Sequence, residues 1–239
     1  MKKQAKDYIV FPLDVASLKE AEDLVRMLSG RVGMFKVGLE LFIAGGQRIL
    51  ETVRDRGDAK IFLDLKLHDI PATVGRAMER VAALKAAYAT VHCGESRAML
   101  EAAVRGAGKK TGVLGVTVLT SVSASDLAEA GFDRAYASDP GALVMKRAQS
   151  AYEAGCAGVV CSGHEVASIK KCFGSGFVTM VPGIRPGWAV EDDDQKRVVT
   201  PSEAVENGAD YLVIGRPIRD AGDPADAAEM IAGEIEEAV

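Results

Sequence analysis

The sequence is short of the residue types that build disulfide frameworks, metal centres and membrane spans. Its 239 residues include 4 Cys and 3 His. Cys93, Cys156, Cys161 and Cys172 contain no C-x-x-C pair and no metal-ligand spacing. They read as small buried hydrophobes in a reducing compartment. No two His stand at helical metal spacing, and no metal is expected. No run approaches the ~18 apolar residues of a membrane helix. Met1 to Lys6 is polar and basic, but the IVFPLDVA that follows is too short and interrupted for a signal-peptide core, so a cytoplasmic location is expected. Basic charge is not in excess: the formal net charge of -5 argues against a general nucleic-acid binder, though not against a small anionic ligand. With 25 Gly, 8 Pro, 48% hydrophobic and 26% charged residues, the chain is neither collagen-like nor disordered.

What is present is a repeating alternation. Apolar, β-branched runs begin at Tyr8, Met34, Lys60, Tyr88, Gly112 (GVLGVTVLT), Gly158, Phe177 and Tyr211. They are apolar throughout rather than alternating, which suits strands buried on both faces of a parallel sheet. Segments such as SLKEAEDLVRMLSG and PADAAEMIAGEIEEAV lie between them and read as amphipathic helices. The glycines of RGDAK, AGCAG and NGAD stand where a helix C-terminus favours a left-handed residue. Eight strand–helix units at ~30 residues each predict one α/β domain over residues 1–239, a (β/α)8 TIM barrel. A doubly wound open sheet is the rival, but no glycine-rich dinucleotide turn follows the first strand.

Barrels of this kind carry their chemistry at the C-terminal ends of the strands. Those ends hold Asp14, Lys36, Asp64 with Lys66, Thr120, Arg185 and Arg216. The densest segment is IFLDLKLHDIPATV, residues 61–74. On a regular strand Asp64 and Lys66, two apart, point the same way, and Asp69 follows just before Pro71. An ammonium between two carboxylates is favoured in its charged form, which suits a proton donor or anchor better than a Schiff-base nucleophile. VPGIRPG and VIGRPI close the seventh and eighth strands, where barrels bind phosphate; Gly183 and Gly215 allow close approach, and Arg185 and Arg216 can fork onto phosphate oxygens. Together they point to a phosphorylated substrate. Pro182 to Lys196, containing the sole Trp, Trp188, reads as a lid. His68, His92 and His164 read as packing or loop residues, and Glu191 to Asp194 as a solvated loop tip.

FLDLKLHDIPAT closely resembles the signature of the orotidine 5′-phosphate decarboxylases, the last enzymes of UMP synthesis. The resemblance extends in order through LDVAS, FKVGLELF, VTVLTS, VVCSGHE, VPGIRP, DDDQKRV and VIGRPI. It implies a charged tetrad of Lys36, Asp64, Lys66 and Asp69, with Lys66 protonating carbon 6 of the pyrimidine as carbon dioxide leaves. Asp64 would sit near the substrate carboxylate, and Asp14 with Lys36 would hold ribose hydroxyls. Asp69, Ile70 and Thr73 would reach into a neighbouring subunit's site, implying a homodimer. Thr120 would contact the pyrimidine, while Pro182, Arg185, Gln195, Gly215 and Arg216 would lie on the phosphate side. No cofactor is implied: the carbanion left by carbon dioxide would be stabilised by Lys66 rather than by an electron sink. Two rivals stay in view. A magnesium-dependent sugar-phosphate decarboxylase or aldolase shares Asp-x-Lys-x-x-Asp, but typically has an acidic ligand in place of Lys36 and lacks the Ile70–Thr73 continuation. A silent nucleotide-phosphate-binding barrel would have no need of four clustered charges.

Overall fold

Eight parallel strands close on themselves in the order β1 to β8 in a computed structural model that describes residues 3–189 and 199–239. They are β1 Ile9–Pro12, β2 Met34–Gly38, β3 Lys60–Leu67, β4 Tyr88–His92, β5 Gly112–Val116, β6 Gly158–Val160, β7 Val178–Val181 and β8 Tyr211–Val213. Each strand pairs with its chain neighbours, and β1 pairs with β8 through Ile9↔Leu212 and Val10↔Val213, so no sheet edge is left open. All eight runs read from the sequence become strands of the expected (β/α)8 TIM barrel.

Side chains of period two divide each strand between two cores. One set, including Phe11, Phe35, Leu63 and Val91, packs outward against the helices. The other fills the barrel with Val10, Met34, Phe62, Leu114, Met180 and Val213, joined by the partly buried Tyr88 and Tyr211. Burying a side chain such as Phe62 stabilises the fold by roughly 1.5–3 kcal/mol. The helices begin where local chemistry starts them. Ser17 and Ser96 accept hydrogen bonds from Glu20 N and Met99 N, and Pro71 occupies the first turn of the helix Pro71–Ala83. Gly155 and Gly208 take the expected left-handed backbone, at φ 80° and 94°. Gly57 does not: at φ 156° it is nearly extended.

Two departures from the expected strands bear on the site. β5 ends at Val116 although the apolar run continues to Thr120. Val118, Leu119 and Thr120 all face one cavity, which strand alternation forbids, so the chain has left the ladder and curls over the barrel mouth. In β3, Leu63 pairs with Ala89 and Leu67 with Val91, so Asp64, Leu65 and Lys66 together stand opposite the single residue Thr90. Lys66 accordingly takes a left-handed backbone, φ 48°. For a residue with a Cβ this costs roughly 1–2 kcal/mol.

Candidate active site

The C-terminal ends of the strands surround a cavity of about 440 Å³. Asp14, Lys36, Asp64, Lys66, Thr120, Pro182, Arg185, Gly215 and Arg216, all expected at the site, line it. Along one wall four charges alternate in sign. Lys36 Nζ donates to Asp14 Oδ1 at 2.8 Å and stands 3.7 Å from Asp64 Oδ2, to which Lys66 Nζ donates at 2.7 Å. Lys36 and Asp64 are nearly buried, so each charge depends on its neighbours for the solvation it has given up. Gly38 makes room for this chain, since a Cβ there would sit 3.2 Å from both Lys36 Nζ and Asp14 Oδ1.

Asp64 and Lys66 do converge, but through the bulge rather than through regular alternation. The bulge is braced from β4: Lys66 N donates to Thr90 Oγ1 at 2.8 Å, and Thr90 Oγ1 donates to Asp64 Oδ1 at 2.9 Å. Thr90, fully buried, is a site residue that the sequence reasoning missed. The available signal was a hydroxyl in YATVH on a strand otherwise read as apolar.

The phosphate-side expectation gathers at the other wall. Gly183, at φ 76°, lies with buried Arg185 just beyond β7, and Arg185 Nη1 donates to Ile184 O at 2.8 Å. Beyond β8, Gly215 precedes the short helix Arg216–Arg219; a Cβ on Gly215 would come within 2.9 Å of Pro12 Cγ. The loops after the seventh and eighth strands and the start of a short extra helix are a recurrent barrel phosphate site. Arg219, not anticipated, also lines the cavity and donates to Asp14 O at 3.2 Å.

Three expected residues do not join the cavity of their own chain. Asp69 is exposed and accepts from Ile70 N at 2.6 Å; Ile70 is 66% exposed; Thr73 is half-buried on the helix that follows. Within one chain, therefore, Lys66 touches one carboxylate, not the two expected, because the chain turns outward after Leu67. Gln195 and the second part of the expected lid, residues 190–196, lie outside the described residues. His68 and His92 lie with ring centroids 5.6 Å apart beside Glu95, consistent with loop packing. Burial, with His68, Lys66 and Arg147 nearby, holds His92 below the usual histidine range. Among the described residues no group of three or more His, Cys, Asp or Glu could hold a metal.

A closed parallel barrel with a partly buried ammonium–carboxylate chain at its mouth, and two arginines beyond its last two strands, has the build of a TIM-barrel enzyme for a small phosphate ester. Comparison with known proteins gives the family. Residues 7–231 match the model of the orotidine 5′-phosphate decarboxylase / HUMPS family, and the chain belongs to that family. It is 56% identical to the orotidine 5′-phosphate decarboxylase of Desulfosudis oleivorans over 98% of this chain and 95% of that one. The Anaeromyxobacter sp. (strain K) enzyme of the same name is 48% identical, over 93% and 96%. Among solved structures, orotidine 5′-phosphate decarboxylase from Lactobacillus acidophilus aligns with a TM-score of 0.82 at 32% identity, over 95% of this chain and 98% of that one.

Proposed function

We propose that this chain converts orotidine 5′-phosphate to UMP and carbon dioxide, a step of de novo pyrimidine biosynthesis, with Lys66 as the proton donor. The observation that carries the reading is the Asp14–Lys36–Asp64–Lys66 chain facing the arginine wall across one cavity. The substrate phosphate lies against Arg185 and Arg216, with Pro182 and Gly215 shaping that end. The ribose hydroxyls meet Asp14 and Lys36, and the pyrimidine extends past Thr120 toward Lys66. Its carboxylate then stands beside Asp64, an anion that disfavours the ground state more than a transition state whose charge is moving onto carbon 6. As the carbon–carbon bond breaks, the electron pair stays on carbon 6, beside the Lys66 ammonium that Asp64 holds in place. Lys66 Nζ gives carbon 6 a proton and is reprotonated from solvent, so no electron sink is needed.

Lys36 also weighs against the magnesium-dependent alternative. Its ammonium sits between Asp14 and Asp64, where a divalent ion bridging those carboxylates would have to bind. The exposure of Asp69 and Ile70, away from their own cavity, supports a homodimer in which Asp69, Ile70 and Thr73 complete the partner's site; Gln195 is assigned to the phosphate side on family grounds. No helix among the described residues is long and apolar enough to cross a membrane. A single-domain cytoplasmic enzyme is the accompanying proposal. The test is an ultraviolet assay of orotidine 5′-phosphate loss with and without EDTA. Rapid, EDTA-insensitive formation of UMP is expected. No turnover by a folded sample, or turnover abolished by EDTA, would overturn the reading.

A further inference from the structure

We propose that Thr90 is a positioning residue for the decarboxylation: its hydroxyl closes a hydrogen-bonded ring that fixes both Asp64 and the turn presenting Lys66. The inference rests on the function proposed above. The ring runs from Lys66 N to Thr90 Oγ1 at 2.8 Å, from Thr90 Oγ1 to Asp64 Oδ1 at 2.9 Å, and from Asp64 Oδ2 to Lys66 Nζ at 2.7 Å. It therefore ties the Lys66 backbone to the tip of its own side chain, through one carboxylate and one hydroxyl.

Three physical features make Thr90 more than packing. Its hydroxyl has one proton, and because the oxygen already accepts from Lys66 N, that proton is directed to Asp64 Oδ1. Asp64 thus has one oxygen held by Thr90 and the other by Lys66. If the ammonium moves toward a substrate carbon, the carboxylate keeps its orientation instead of turning with it. The second feature is the bulge, in which three residues of β3 face Thr90 alone and Lys66 adopts φ 48°. The Lys66 N–H that this turn takes out of the ladder finds its acceptor in Thr90, and a buried amide without one would oppose the turn. The third is isolation: Thr90 is 0% exposed, so water cannot replace its hydroxyl. Thr90 touches neither the expected substrate position nor any reacting atom, and it acts only through Asp64 and Lys66.

The test compares Thr90→Val, which keeps the shape and removes the hydroxyl, with Thr90→Ser, which keeps the hydroxyl and removes the methyl. Displacing a reacting group by about 1 Å can cost on the order of 100-fold in rate. Thr90→Val is therefore expected to lower kcat about 10–100-fold, with KM within about threefold and a fall in Tm of a few degrees for the Lys66 N–H left without its acceptor. Thr90→Ser should return to within about threefold of the parent. Hydrogen exchange at the Lys66 amide should accelerate in Thr90→Val and not in Thr90→Ser. In an Asp64→Asn background, Thr90→Val should add a smaller loss than in the parent, because only its hold on the Lys66 amide remains to be lost. Should Thr90→Val fail to fold, Thr90→Cys, a smaller change with a weak donor, takes its place in the same comparison. Unchanged kcat in the valine variant of an active enzyme would overturn the positioning role alone, as would equal losses in the valine and serine variants. A folded parent without decarboxylase activity would instead overturn the proposed function, and the positioning role with it; its Lys66 exchange rate would still report whether the ring exists.

Discussion

Replacing Lys66 by alanine separates catalysis from folding more sharply than any other single change. The side chain is assigned two tasks on one atom: proton transfer to carbon, and stabilisation of the charge developing there. General acid catalysis contributes typically 10²–10⁴-fold, and a single preorganised electrostatic donor about 10²–10³-fold. Because both depend on one group they do not simply multiply, and a loss of at least about 10⁴-fold in kcat is expected. That corresponds to about 5.4 kcal/mol of transition-state stabilisation. The structural cost should be far smaller. Breaking a buried ion pair costs about 3–5 kcal/mol when the surviving charge is stranded. Asp64 is not stranded here: Thr90 Oγ1 still donates to it at 2.9 Å, and Lys36 Nζ is already 3.7 Å away. The Lys66 side chain is also 29% exposed, so solvent screens part of the pair. A destabilisation of roughly 1–2 kcal/mol follows, a fall in Tm of about 2–8 °C for a protein of this size. Ultraviolet turnover and circular-dichroism melting, run on the same sample, give both numbers. A folded Lys66→Ala protein retaining kcat/KM within about tenfold of the parent would refute the assignment of Lys66 as proton donor.

Arg216→Ala should lower kcat/KM for orotidine 5′-phosphate by roughly 10–150-fold, the worth of a charge-assisted hydrogen bond of about 1.5–3 kcal/mol. Turnover of orotidine, which lacks the phosphate, should be unaffected, and an equal loss on both substrates would remove Arg216 from the phosphate side. Burial pushes the Cys93 and Cys156 thiols up to about 12, and Cys161 is buried, whereas Cys172 is exposed. A thiol reagent should therefore label one cysteine rapidly in the native protein and all 4 after denaturation; rapid labelling of two or more in the folded state would contradict the buried placement. Burial beside the Tyr8 and Tyr211 rings lowers the Lys3 ammonium to about 8 from 10.5, outweighing the attraction of Asp210. Between those values the unfolded chain holds a proton that the folded chain has released, so stability rises with pH across the window. The stability of the parent relative to Lys3→Met should accordingly improve from pH 8 to 10.5, and a flat or falling difference would refute the burial.

The architecture was legible because it is a repeated pattern. Eight apolar runs separated by helical segments of similar length admit few closures, and each run became a strand. The site was legible where a charged residue ended an apolar run, as at Lys36, Asp64 and Arg216. What stayed hidden was geometry that period-two reasoning averages away. The string LDLKL reads as a regular strand with Asp64 and Lys66 on one face, yet three residues occupy the place of one, and only the acceptor on β4 makes that turn tenable. Thr90 escaped notice for a related reason: a threonine in a strand is unremarkable by composition, and its importance lies in a partner 24 residues away. Asp69 was expected beside Lys66 from its spacing, but a charge in an outward turn has no fixed direction until the chain that follows is placed.

The same strands carry stability and chemistry two residues apart. Along β2, Met34 gives way to Lys36; along β3, Phe62 to Asp64; along β4, Tyr88 to Thr90. The first member of each pair belongs to, or packs against, the apolar filling of the barrel; the second is a charge of the wall above it at Lys36 and Asp64, and at Thr90 the hydroxyl that braces that wall. The packed layer does for the charges what solvent would do elsewhere, holding them in place without mobile dipoles that would have to reorganise during reaction. The alternation of sign from Asp14 to Lys66 makes such a wall tolerable, since each inner charge has an opposite neighbour within 3.7 Å. On the proposed reading, a substrate carboxylate beside Asp64 would break that alternation, and departure of carbon dioxide would restore it. The energetic asymmetry that this reading requires between bound substrate and product would then come from the arrangement of the four side chains, before any movement of the protein is invoked.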